Sequence, residues 1–282
     1  MNMIVTAEWL HEQLENRNVI LFDCRFNLAD PAEGAELYER SHVPGAFYAH
    51  LDDRLSGEKG AEGGRHPLPD MSEFTLFLEN CGVSNDSTVV AYDDGVSMFA
   101  GRLWWLLKYA GHDDVHILDG GFSEWVEKGY QITTEMPIRR PASFQLNVQD
   151  GMRASIEEVK HASETGSSLL IDSRAPERYL GEIEPLDRVP GHIPGAINRF
   201  FAEGLEGTKW KTKEEQASRF EHIRKDEPVI VYCGSGVSAT PNVLALQMAG
   251  YKNVKLYPGS YSEWSSDTSR PVETKERGIV DK

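Results

Sequence analysis

The chain is poor in cysteine: Cys24, Cys81 and Cys233 are the only three in 282 residues, and their spacing suggests no pairing. That excludes a disulfide framework and fits a reducing compartment in which a thiol survives. Basic residues are also scarce, with 29 Lys plus Arg against 45 Asp plus Glu and a net charge of −16. Nucleic acid and anionic membranes are therefore not expected as partners, and any anionic substrate must be drawn in by a local basic cluster. No apolar run approaches the roughly 18 residues that a membrane span needs. The opening residues Met1-Asn2-Met3-Ile4-Val5-Thr6-Ala7-Glu8 lack the basic-then-apolar order of a signal sequence. The expected location is the cytoplasm.

What the chain does have is an internal repeat. Phe22-Asp23-Cys24-Arg25 answers Ile171-Asp172-Ser173-Arg174, and Ser41-His42-Val43-Pro44-Gly45-Ala46 answers Gly191-His192-Ile193-Pro194-Gly195-Ala196. Val89-Val90-Ala91-Tyr92 answers Val229-Ile230-Val231-Tyr232, and Leu118-Asp119-Gly120-Gly121 answers Tyr257-Pro258-Gly259-Ser260. A period of about 140 to 150 residues is too long for a solenoid unit and fits two tandem domains. Shared residues then point to architecture, so His42 and His192 read as turn-fixing side chains. Differences point to chemistry: Cys233 falls opposite Asp93, which leaves the first half without the nucleophile.

Within each half, short apolar runs alternate with helical patterns, the signature of parallel βαβ units. Strands are expected at Val19–Phe22, Val89–Tyr92, Val115–Leu118, Leu169–Ile171, Val229–Tyr232 and Val254–Leu256, and a helix from about Ser238 to Ala249. The fold class is α/β, with a parallel sheet flanked by helices in each domain. The expected boundaries are 1–132 for a domain lacking the nucleophile, 133–150 for a linker without periodicity, and 151–282 for the catalytic domain.

Cys233 ends an apolar run and opens the loop Cys233-Gly234-Ser235-Gly236-Val237-Ser238-Ala239 ahead of that helix. Glycines let the backbone curl around the sulfur with N–H groups pointing inward, and the helix onset adds its positive dipole. Such a setting should pull the thiol pKa below its free value of roughly 8.5, giving a nucleophile and a cradle for a second sulfur. The bland alternative is a packed core cysteine, the reading that suits Cys24 and Cys81. Gly234, Gly236, Val237 and Ser238 are the loop positions expected to line the substrate.

The Asp-x-Arg, His-x-Pro-Gly-Ala and Glu-Trp-ending elements resemble the tandem rhodanese family of sulfurtransferases over almost the whole chain. The Cys233 loop is similar to that of the 3-mercaptopyruvate sulfurtransferases, whereas thiosulfate enzymes typically carry Cys-Arg-Lys-Gly-Val-Thr-Ala. An Arg-Lys pair suits a dianion; Gly-Ser leaves recognition of a monocarboxylate to residues outside the loop. The resemblance implies Arg178 as the carboxylate-binding arginine and Arg188, across a small gap, as a second. It also implies a relay of Ser235, His66 and Asp53, with Asp52 a rival to Asp53. His66 follows the glycine-rich stretch Ser56–Gly64, so an ordinary surface-loop histidine is the competing reading.

The implied reaction moves a sulfane sulfur from 3-mercaptopyruvate through a Cys233 persulfide to a small thiol, thioredoxin or cyanide, with no metal or organic cofactor. Thiosulfate as donor and a non-enzymatic persulfide carrier are the alternatives. A Cys-x5-Arg phosphatase loop is disfavoured because position 239 is alanine.

Overall fold

The computed structural model describes residues 2–60, 62–138 and 140–274. The chain divides into two compact units. The first comprises the residues up to Gly57, Leu68–Asp150 and Leu205–Trp210; the second comprises Glu58–Pro67, Gly151–Gly204 and the chain from Lys211 onward.

In the first unit, β1 (Ile4–Val5), β2 (Val19–Asp23), β3 (Ala46–Tyr48), β4 (Thr88–Tyr92) and β5 (Val115–Leu118) form one parallel sheet in the order β1-β5-β4-β2-β3. In the second unit, β6 (Leu169–Asp172), β7 (Ile197–Asn198), β10 (Val229–Tyr232) and β11 (Val254–Leu256) form a parallel sheet ordered β11-β10-β6-β7. The antiparallel ribbon of β8 (Leu205–Glu206) and β9 (Lys209–Trp210) belongs to the first unit, where Trp210 Nε1 donates to Ser97 Oγ at 3.0 Å.

Central strands of a parallel sheet are covered on both faces, so they read as unbroken apolar runs, and every residue of β10 is buried. The expected strands are found within a residue or so. The ones that went unread, β1, β3, β7 and the ribbon, are two or three residues long, too short to show a period. The helices after β4 and β10, Met98–Tyr109 and Thr240–Met248, are apolar nearly all round because they are buried all round.

The repeated motifs are structural fastenings. Arg25 pairs with Asp23 and donates to the Ser41 carbonyl; Arg174 pairs with Asp172 and donates to the Gly191 carbonyl. His42 stacks on Tyr38 and His192 on Tyr179, each with Nδ1 2.7 Å from that tyrosine's carbonyl oxygen. Both histidines thus hold turns, as their repetition implies. Among the described residues of 133–150 there is no regular element beyond the start of a 3-10 turn at Asp150. They are nonetheless tied along the first unit: Thr133 pairs with His42, Phe144 N donates to Glu79, and Asn147 and Gln149 donate to the Ala110 and Tyr109 carbonyls. Backbone pairing of this kind leaves no periodic trace in a sequence. Among the described residues, no helix is long and apolar enough to cross a membrane.

Candidate active site

Cys233 stands at the carboxyl end of β10, the usual place for a site in an open parallel sheet. It is 1% exposed. The Gly236 N–H donates to its sulfur at 3.2 Å, and the Cys233 N–H donates to Ser260 Oγ at 3.1 Å. The next turn is fixed by close approach. Gly236 has φ +76°, and a Cβ there would fall 2.3 Å from the Pro258 carbonyl oxygen. Two further bonds, from the N–H groups of Tyr261 and Ser262 to the carbonyls of Cys233 and Gly234, fasten the loop to the helix Ser260–Trp264. Val237 is buried and Ser238 half-buried.

Ser235 lies two residues after Cys233 in the same loop, and its Oγ is 2.8 Å from His66 Nδ1, with both residues 7% exposed. His66 is therefore not a surface-loop histidine. The glycine-rich stretch before it ends pinned to the second unit: Gly63 N–H donates to Glu263, and Arg65 N–H to Ser262 Oγ. Gly64, at φ +70°, leaves no room for a Cβ between Gly259 and Ser262. The glycines serve close packing there. Asp53 lies in the first unit, 72% exposed and 3.6 Å from His50 Nδ1.

Two guanidinium groups stand over the loop, each paired with carboxylates. Arg178, in the short helix Pro176–Tyr179, donates from Nε and Nη2 to Glu184 at 3.2 and 2.7 Å and from Nη2 to Asp187 at 2.9 Å. Arg65 pairs with the other oxygen of Asp187. Burial works against the charged form of Glu184, but Arg178 and the N–H groups of Asp187 and Leu186 outweigh it and its pKa is lowered. For Asp187 burial wins, aided by the Glu184 charge and opposed by Arg65 and Arg178, and the pKa is raised. Both guanidinium groups overhang Gly234: a Cβ on that residue would lie 2.7 Å from Arg65 Nη2 and 3.4 Å from Arg178 Nη1. Arg188 is exposed.

Reading the sequence missed Arg65, Glu184, Asp187 and Ser260. Only Ser260 left a signal, as the hydroxyl that replaces Gly121 in the repeat. Cys24 and Cys81 are buried without such a loop. Burial, with the Asp23 and Asp93 charges, pushes the Cys24 thiol far up. Among the described residues, no group of three or more His, Cys, Asp or Glu side chains could hold a metal ion.

The rhodanese-like domain model matches residues 6–128 and again residues 155–267. The chain belongs to the rhodanese-like family. It is 40% identical over 278 residues to a Pseudomonas aeruginosa protein named "Probable 3-mercaptopyruvate sulfurtransferase", covering 96% of this chain and 98% of that one. It is 32% identical to a Rattus norvegicus protein named "Thiosulfate sulfurtransferase", covering 93% and 91%. Among solved structures, SseA of Escherichia coli, described as a 3-mercaptopyruvate sulfotransferase, superposes with a TM-score of 0.80 at 30% identity, covering 93% of this chain and 100% of that one. The rhodanese-like fold is thus present twice, and the tandem form accounts for the repeat.

Proposed function

We propose that this sulfurtransferase takes its sulfur from 3-mercaptopyruvate and carries it on Cys233. The Cys233 thiolate attacks the donor's sulfur; the S–S bond forms as the C3–S bond breaks, and its electron pair leaves with pyruvate as the enolate. A proton then returns to C3. In the second half-reaction an acceptor thiolate attacks the outer sulfur, takes it away as a persulfide and restores the Cys233 thiolate. The Gly236 N–H, aimed at the cysteine sulfur, is placed to accept the charge that returns to that sulfur when the acceptor takes the outer one.

The observation that carries the reading is the Ser235 hydroxyl held by His66 beside the thiol. A hydroxyl backed by an imidazole suits a donor whose carbonyl becomes an enolate, because it stabilises the developing charge on oxygen. Thiosulfate has no such oxygen. An uncharged Gly234-Ser235 pair, with guanidinium groups supplied from outside the loop, suits one carboxylate better than a dianion. The acceptor is proposed to be a small thiol, thioredoxin or cyanide, and the setting a reducing cytoplasm in which Cys233 stays unpaired. No step is assigned to Asp53 or Arg188.

Steady-state turnover with each donor tests the proposal. The expected result is a kcat/KM for mercaptopyruvate at least about tenfold above that for thiosulfate. Ser235→Ala and His66→Ala should each cost mercaptopyruvate turnover about tenfold or more, and the double variant about as much as either, because paired groups act as a unit. Equal use of both donors, with losses that simply add, would return Ser235 and His66 to loop packing.

A further inference from the structure

The first unit holds a cavity that the sulfur chemistry does not use. It encloses about 620 Å³ and is lined from β3, the edge strand of the sheet, from the helix Met71–Asn80 and from Met136-Pro137. That volume suits a small molecule. Every lining residue belongs to the first unit, so the cavity is separate from the Cys233 loop.

Its wall is aromatic. Phe47 and Tyr48 from β3 and Phe77 from the helix are half-buried, and Phe47 and Phe77 rest on the fully buried Phe22 ring with centroids 6.1 and 5.6 Å away. Tyr48 spends its hydroxyl on the Arg25 carbonyl, so ring surface is what it offers the cavity. The repeat shows that a strand in this place does not require those rings. Phe47-Tyr48 is answered by Ile197-Asn198 in β7, where Asn198 donates to the Asp172 and Arg174 carbonyls. Leu76 and Met136, on the same lining, are 58% and 66% exposed, which adds apolar surface left open to water. The lining also has one end suited to a negative charge and one that is not. Arg54, exposed at the end of the helix Leu51–Arg54, has its guanidinium carbon 5.7 Å from the Phe77 ring centroid, and no carboxylate of the described residues lies within ion-pair distance of it. In a chain with a net charge of −16, a guanidinium left without a carboxylate is a place for an anion. Cys81, nearly buried, caps the carboxyl end of the helix Met71–Asn80, which presents carbonyl groups and so repels an anion.

We propose that this cavity is a binding site for a small planar aromatic molecule carrying one carboxylate. The ring lies inward, among Phe47, Tyr48 and Phe77 and towards Cys81, and the carboxylate lies outward on Arg54. Aromatic contact supplies affinity and the guanidinium sets the sign of the charge. Glu73, exposed on the same lining, disfavours a second negative charge. Binding is non-covalent, because a helix carboxyl end offers no N–H groups to hold a Cys81 thiolate. The unit that lacks the nucleophile thereby acquires a ligand of its own, and this inference does not depend on which sulfur donor Cys233 uses.

The test is calorimetric titration of the full chain with indole-3-acetate, a flat ring bearing one carboxylate. The expected result is one site with a Kd on the order of 1 mM or tighter. Tryptamine, which has the same ring and the opposite charge, should bind at least about tenfold more weakly, and Arg54→Gln should bring the two probes together by weakening indole-3-acetate about tenfold. Phe47→Ile, which installs the residue of the second unit, should weaken both probes. Leu76→Glu should weaken indole-3-acetate alone; because Leu76 is exposed, this variant keeps the test open if a change at Phe47 prevents folding. Sulfur transfer is the control. Arg54→Gln and Leu76→Glu should leave turnover as in the parent, and pyruvate should not displace the probe. No binding at about 10 mM overturns the proposal, as do probe affinities within about twofold of the parent in both Arg54→Gln and Leu76→Glu. Displacement of indole-3-acetate by pyruvate would move the probe to the Cys233 loop and overturn it too. Equal binding of tryptamine would overturn the role of Arg54.

Discussion

The loops after β4 and β10 have the same place in the two units and opposite contents. In the first, Asp93 fills the cradle with its own carboxylate: the N–H groups of Gly95 and Ser97 donate to one oxygen at 2.9 Å, and those of Phe99 and Ala100 to the other at 3.1 and 3.2 Å. In the second, the sulfur of Cys233 occupies that place. Both residues use their carbonyl in the same way, accepting from Phe122 N in one unit and Tyr261 N in the other. The fold thus builds an anion-holding turn twice. One copy is permanently satisfied by a side chain, and the other is left to the Cys233 thiol.

The residues behind the two loops diverge accordingly. Gly121, at φ +59°, sits so close to the first loop that a Cβ would fall 2.2 Å from the Asp93 carbonyl oxygen. Its counterpart Ser260 keeps the left-handed backbone, at φ +53°, and uses its hydroxyl to accept the Cys233 N–H. A non-glycine residue held there is strained, and the strain lies against Cys233. Ahead of the loops, Asp94 follows Asp93 where Gly234 follows Cys233, a carboxylate in place of an open approach.

The sharpest break between the loops is reactivity. Incubation with donor alone should add one sulfur to the native chain and none to Cys233→Ser, while Cys24→Ser and Cys81→Ser still accept it; intact-mass measurement decides. Asp93→Cys should not add a second sulfur, because Asp94 repels an anionic donor. A second sulfur in that variant would show that the turn alone suffices.

Stability should break the other way. Asp93→Ala strands four backbone N–H groups, for a loss on the order of 3 kcal/mol after relief of the buried charge. Urea unfolding should show it, and a loss under about 1 kcal/mol would mean that water replaces the carboxylate. Ser260→Gly exchanges a hydrogen bond worth about 1 kcal/mol for relief of a left-handed backbone of similar cost. Its melting midpoint should therefore stay near the parent's while turnover falls several-fold. A large drop in stability with turnover intact would reverse the reading of that strain.

The smallest expected effect concerns pH. Asp94 is exposed at its surface, yet the protein packed around its loop partly desolvates it and lifts its pKa to about 6, with Arg25 opposing and the Asp93 and Asp23 charges adding to the rise. A carboxyl whose folded pKa is raised binds its proton more tightly when folded. Its contribution is present below about pH 4 and is lost as pH rises through 6. Asp94→Asn should remove that part of the decline in unfolding free energy between about pH 4 and pH 6. An unchanged slope would place the pH dependence elsewhere.

The sequence by itself determined the two-unit α/β plan and the place of Cys233 at the turn after β10. Parallel strands buried on both faces encode unbroken apolar runs, and a thiol at a strand-to-helix turn between glycines is a local pattern. The repeat separated fastenings such as His42 and His192 from the one position, Cys233 against Asp93, where the halves differ in chemistry. Only the tertiary structure decided which cations surround that thiol. Arg65, the segment that carries Arg178 and Asp187, Gly234 and Ser260 lie apart in the chain, and no local pattern relates their spacings. They meet because the second unit's sheet sets β6, β10 and β11 side by side with their carboxyl ends together, and because a glycine-pinned strap returns Arg65 and His66 to that edge. Arg188 and Arg65 are both single basic residues in loops when read along the chain; pairing with a nearly buried Asp187 distinguishes them, and that is a property of the folded chain alone.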